Sequence, residues 1–154
     1  MIAMGRSARR LVLACAAASF VAPAPTHPIA FLEIGNSTRG EAELIALHER
    51  TPFSVTSWHS MYDQPVIEEF VLDGRCHIVL KSVSSPSAAV REYLGITSPG
   101  ERHAVERAMG QIVFRVAMGT PQRLNAGARE RSFLEFGDHG DRLVIRATGL
   151  CPDS

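Results

Sequence analysis

Lysine is almost absent from this 154-residue chain: Lys81 stands alone beside 15 arginines, and 16 acidic residues bring the net charge to zero. A balanced chain of this kind offers no charge-driven grip on nucleic acid or on an anionic membrane surface. The arginine skew reads as composition and not as a binding site. Long apolar runs are also missing. The longest stretch, Leu11 to Ala22, has about 12 residues, whereas a membrane-spanning helix needs about 20. No strand, glycine-rich loop and helix follow one another, which argues against a nucleotide-binding doubly wound fold. No GxSxG elbow occurs either. Cysteine is limited to Cys15, Cys76 and Cys151, without the paired CxxC spacing of a zinc site.

What is present begins at the N-terminus. Arg6, Arg9 and Arg10 precede the apolar run, and no acid occurs before Glu33. Small residues follow, with Ala16-Ala17-Ala18 and Ala22-Pro23-Ala24 in the form that a signal peptidase accepts. Residues 1–24 therefore read as a signal peptide, cut somewhere from 18 to 24, and the chain as exported to the periplasm or the extracellular space. The stretch "VLAC" at Val12 to Cys15 has a lipobox outline. Leu13 stands where a small residue is usual, and the apolar segment before Cys15 is too short, so a lipid anchor at Cys15 is disfavoured. Cleavage removes three arginines and no acid, leaving a net charge of −3. Residues 25–37, with Pro25 and Pro28, read as a linker, and 38–154 as one domain large enough for its own core.

Cleavage also removes Cys15. Cys76 and Cys151 then form an even pair in an oxidising compartment, the expectation being one disulfide. It would close a 75-residue loop, worth about 4 kcal/mol in the chain-entropy account.

Along the domain, Thr38 and Glu41 have capping-box spacing, and Ala42, Leu44, Ile45 and Leu47 follow, predicting a helix over 39–50. Alternation from Phe53 predicts a strand. Asp73-Gly74 between two apolar runs predicts a two-residue hairpin turn. That turn pairs Leu72 with Arg75 and Val71 with Cys76. It gathers Ile67, Val71, Cys76, Ile78 and Leu80 on the core face, with Glu69 the exception, and Glu68 on the other face. Ser85-Pro86 to Gly95 reads as a helix. Ser98-Pro99 opens another, whose apolar period continues through Val116; a stop at Gly110 and a strand over 111–118 is the rival. Phe133–Phe136 and Leu143–Arg146 read as strands. The sum is an α+β fold: a mostly antiparallel sheet with two to three helices packed on one face and one disulfide.

Candidate chemistry is sparse. "SWHSMYD" brings His59, Ser60 and Asp63 close in sequence, but neighbours in a strand point to opposite faces, so His59 and Ser60 do not meet. "GDHGD" offers Asp138, His139 and Asp141, short of the six oxygens that calcium wants and equally suited to a turn. His103 and Glu106 at helical spacing resemble half of a carboxylate–histidine site with no second half. His27, His48 and His77 have no evident partner. No catalytic set, metal or cofactor is indicated. The leading expectation is a small exported non-catalytic protein that binds another exported protein, as an inhibitor, immunity-type or assembly-accessory module. The alternatives are a small hydrolase or metal-dependent enzyme using His59/Asp63 or His139/Asp141, and a binder of a small apolar ligand.

Overall fold

The computed structural model describes residues 30–48, 51–73 and 75–149. The segment read as a signal peptide and Cys151, the expected partner of Cys76, lie outside these residues. Among the described residues ten strands form two antiparallel sheets. β1 (Ala30–Asn36), β2 (Glu41–Leu47), β7 (Ile112–Arg115) and β10 (Arg142–Gly149) make a four-stranded sheet in the order β2-β1-β10-β7. β3 (Phe53–His59), β4 (Gln64–Leu72), β5 (Ile78–Ser84), β6 (Arg102–Met109), β8 (Arg123–Ala126) and β9 (Arg129–Ser132) make a six-stranded sheet in the order β6-β5-β4-β3-β8-β9. Leu32, Ile34 and Ile145 of the first sheet and Val55, Phe70, Leu80 and Leu124 of the second share one core, where Phe53 and Phe70 stack with ring centroids 5.2 Å apart.

The expected α+β architecture is therefore replaced by a mostly β one. A six-residue helix, α1 (Ala88–Tyr93), and a 3-10 turn (Phe133–Glu135) are the helical elements among the described residues. No helix there is long and apolar enough to cross a membrane.

Each exchange of helix for strand has a physical cause in turn chemistry or strand pairing. At 39–50 the capping-box spacing is used differently. Asn36 Oδ1 accepts from the backbone N–H groups of Thr38 (3.0 Å) and Arg39 (3.1 Å), and Gly40 takes φ 73°, so the chain turns back into β2. Ile45 and Leu47 face the core while Leu44 is exposed, a period of two. Helix propensity is a weak preference that pairing along the whole of β1 overrides. β1 itself occupies residues assigned to the linker, with Ala30, Leu32 and Ile34 buried at alternate positions.

The segment from Ser98 holds two strands and no long helix. His103, Val105, Arg107 and Met109 share one face of β6, and Gly110 marks the passage from the six-stranded to the four-stranded sheet. Phe133–Phe136 is a tight turn because Ser132 and Glu135 form a reciprocal capping box. The β8–β9 hairpin lay unrecognised in the sequence, its arginines masking Leu124 and Ala126 as core residues.

The Asp73 hairpin exists with a different register. Leu72 pairs with Ile78 and Phe70 with Leu80; a bulge follows, after which Glu68 pairs with Val83. Asp73 Oδ1 accepts from the N–H groups of Arg75 (2.9 Å) and His77 (2.8 Å), making a longer turn in which Cys76 has φ 58°. The offset from the expected pairing is odd, and an odd slip exchanges the faces of one strand. Ile78 and Leu80 face the core as expected, but on β4 Phe70 and Leu72 are buried and Ile67 is exposed.

Candidate functional site

The register correction brings unexpected residues together. β4, β5 and β6 align Glu68, Val83 and His103 in one row and Phe70, Leu80 and Arg107 in the next. Beyond the reach of the shared core this face is covered by the chain that follows α1. Leu94, Gly95 and Ile96 close over Val66, Glu68, Leu80, Val83 and Val105, leaving a cavity of about 280 Å³ that His103 and Arg107 also border. Burial pushes the Glu68 carboxyl above its ordinary range, and Arg107 only partly opposes this. Glu68 has no hydrogen-bond partner among the described residues. His103 shares a 2.7 Å hydrogen bond between its Nδ1 and Ser98 Oγ.

α1 is held over this end by its own chemistry. Ser87 caps it by accepting from the Val90 N–H, Arg91 Nη1 donates to the Ser85 carbonyl at 2.7 Å, and Val90 is fully buried. Gly95, at φ 73°, ends it where a left-handed residue is needed. Ser85 and Pro86 lie just outside the helix, so the cap falls two residues later than the sequence suggests.

Beside the cavity, the β3–β4 connection makes a tight tip. Asp63 adopts φ 48° and accepts a 2.7 Å hydrogen bond from Trp58 Nε1. His59 packs edge-on against Tyr93 of α1 with centroids 4.6 Å apart, and Tyr62 lies 5.2 Å from the same imidazole. The His59 Nδ1 atom is buried without a hydrogen-bond partner among the described residues. Around this stack the surface is apolar and open: Met61 is 69% exposed, Tyr93 61%, Leu94 42% and Tyr62 38%.

The second candidate stretch is occupied otherwise. Asp141 is buried and accepts from Asn36 Nδ2 (2.8 Å), the Asp138 backbone N–H (3.0 Å) and Arg39 Nε (2.9 Å). The Asn36 amide, the Asp138 N–H and the Arg39 charge hold its carboxyl below the usual range. Asp138 pairs with Arg39, and His139 Nδ1 lies 2.7 Å from the Ala117 carbonyl oxygen. Asn36 Nδ2 also donates to the Phe136 carbonyl at 3.1 Å. Gly137 is required there, because a Cβ would lie 2.6 Å from Asn36 Nδ2. Asp138 and Asp141 thus tie the β1–β2 turn to the loop before β10, and His139 ties that loop to the segment after β7.

Of the remaining histidines, His103 is parted from its expected partner Glu106, and His77 gains a partner that was not expected. Glu106 pairs with Lys81 on the other face of β6 from His103, and His77 Nδ1 lies 3.1 Å from Asp73 Oδ2. No group of three or more His, Cys, Asp or Glu side chains among the described residues is placed to hold a metal ion. Glu68, Tyr93 and Arg107 escaped the sequence reading. Only the shifted register of the Asp73 hairpin and the pairing of β6 with β5 place Glu68 and Arg107 on the inner face. No protein-family model, curated protein or solved structure matches the chain.

Proposed function

We propose that this chain is an exported, non-catalytic protein that binds another protein through the surface formed by Met61, Tyr62, Tyr93 and Leu94. The carrying observation is the cluster of two exposed tyrosines packed on the His59 imidazole, flanked by an exposed methionine and leucine. Tyrosine and methionine are enriched at protein interfaces, where an aromatic anchor combines large contact area with little rotamer entropy. The rings are held in place before contact, by the Trp58–Asp63 hydrogen bond on one side and the Ser87 cap on the other. Such preorganisation lowers the entropy lost on binding. The arginine-led N-terminal stretch with its small-residue sites supports the exported setting.

Affinity capture from the exported fraction tests this reading when run with two variants. A partner retained by the native chain should be lost with Tyr62→Ser/Tyr93→Ser, by tenfold or more, and kept by Leu44→Ser, which alters an exposed apolar residue elsewhere. Equal capture by all three would overturn the assignment to this surface.

A further inference from the structure

The cavity beneath Leu94–Ile96 adjoins the aromatic surface and shares only Leu94 with it. At about 280 Å³ it sits near the lower end of ligand pockets, roughly 300–1,000 Å³. Its walls are Val66, Leu80, Val83, Val105 and Ile96, with three ionisable side chains at the edges. Val83 stands between Glu68 and His103 in the same row. Neighbouring strands lie about 4.8 Å apart, so the two polar backbone positions are separated by about 10 Å across an apolar floor.

The three polar groups are not equivalent. Arg107 is exposed and keeps its hydration. His103 is engaged with Ser98. Glu68 is partly withdrawn from water, has no hydrogen bond or contact ion pair among the described residues, and feels only the attraction of Arg107, which does not offset its burial. A carboxylate placed so is costly until something donates to it. An entering anion would have to displace water from Arg107 while approaching that carboxylate. A cation or N–H donor on an apolar body satisfies Glu68 and fills the apolar walls together.

We propose that this cavity binds a small apolar amine, with the ammonium group seated on Glu68 and the hydrocarbon body against Val83, Val105 and Ile96. Arg107, at the rim, sets a modest repulsion that keeps affinity low and disfavours ligands carrying a second positive charge.

The test is a methyl-detected NMR titration of the native chain with 2-phenylethylamine and, separately, 3-phenylpropanoate. The amine should shift the methyl signals of Val83, Val105 and Ile96, and the carboxylate should shift them at least tenfold more weakly at equal concentration. Glu68→Gln should weaken amine binding tenfold or more, and because Glu68 has no hydrogen-bond partner to lose, the variant should fold. Arg107→Gln should strengthen it a few-fold. Absence of methyl shifts at millimolar amine, equal response to the carboxylate, or amine binding unchanged in Glu68→Gln would each overturn the proposal.

Discussion

Asp141 and Glu68 are both withdrawn carboxylates in the same small β protein, and they are treated in contrary ways. Around Asp141, three donors are provided: the Asn36 amide, the Asp138 N–H and the Arg39 guanidinium converge on one carboxylate. Around Glu68, burial pushes the carboxyl up and no hydrogen bond offsets it among the described residues. The first arrangement stabilises, because each buried polar group has a partner. The second costs stability, and it sits beside an open cavity and an exposed aromatic stack. Polar groups fully used by the fold have little left to offer a ligand. Polar groups left unused, next to ordered apolar surface, are where binding is best sought.

The largest effect expected from breaking this contrast is at the satisfied region. Asn36→Ala removes two side-chain donor bonds, to Phe136 and Asp141, and the acceptor that closes the β1–β2 turn. A loss of about 3 kcal/mol is expected, since buried groups are stranded as well as bonds lost. Urea unfolding checks it. Gly137→Ala should be damaging for the same reason, the new Cβ colliding with the Asn36 amide. Gly110→Ala, with open space around it, should not be.

At the unsatisfied region the sign reverses. Glu68→Leu should stabilise by about 1 kcal/mol near neutral pH, because the cost of withdrawing a carboxylate that accepts no hydrogen bond is removed and apolar surface is added to the cavity wall. pH separates the two carboxylates further. Glu68 has its folded pKa raised above 4.5, so the folded chain holds its proton more tightly than the unfolded chain. Its contribution is favourable at low pH and is lost as pH rises through the raised value. Asp141 has its folded pKa lowered below 3.8. Its contribution is present above the ordinary value and disappears as pH falls through the lowered one. Thermal melts of Glu68→Gln should thus exceed the native chain at neutral pH and converge with it below pH about 4, where both forms are neutral.

A smaller loss is expected where the edges of the two sheets are tied. Arg131 on β9 donates to both carboxylate oxygens of Glu43 on β2, at 2.8 and 3.3 Å, and its guanidinium lies 4.7 Å from the Phe136 ring centre. Arg131→Ala should cost about 1 kcal/mol in chemical unfolding, since a two-pronged pair with a stacked ring exceeds a simple surface ion pair. Least of all, Tyr93→Ala should change stability by less than about 0.5 kcal/mol, its ring being mostly exposed. A larger loss in a thermal melt would mean that the aromatic stack supports the fold.

The sequence disclosed short-range features better than long-range ones. The strands at Phe53 and Leu143, the Asp73 turn as a reversal and Gly95 as a helix end were legible, because each depends on a few adjacent residues. The helices assigned to 39–50 and from Ser98 were misread because caps and apolar spacing there fit a helix locally. Pairing of β2 with β1 and of β6 with β5 decides those segments, and the pattern inside a segment does not record its partner strand. The site suffered most from the register of the Asp73 hairpin. The longer turn at Asp73 shifts the pairing by three residues and so exchanges the faces of β4, which is why Glu68 reads as outward and is not joined to His103 or Arg107. Tyr93 was invisible as a site residue because only the position of α1 brings it to His59.

The claim that the α1-capped end is the contact surface can be met directly by site-specific photo-crosslinking in the cell that makes the protein. A photoreactive phenylalanine analogue replaces Tyr93 in one variant and Leu134, an exposed residue of the 3-10 turn, in another. A discrete adduct with a second protein from position 93, absent from position 134, is the predicted result. Equal adducts from both positions, or an adduct from position 134 alone, would contradict it.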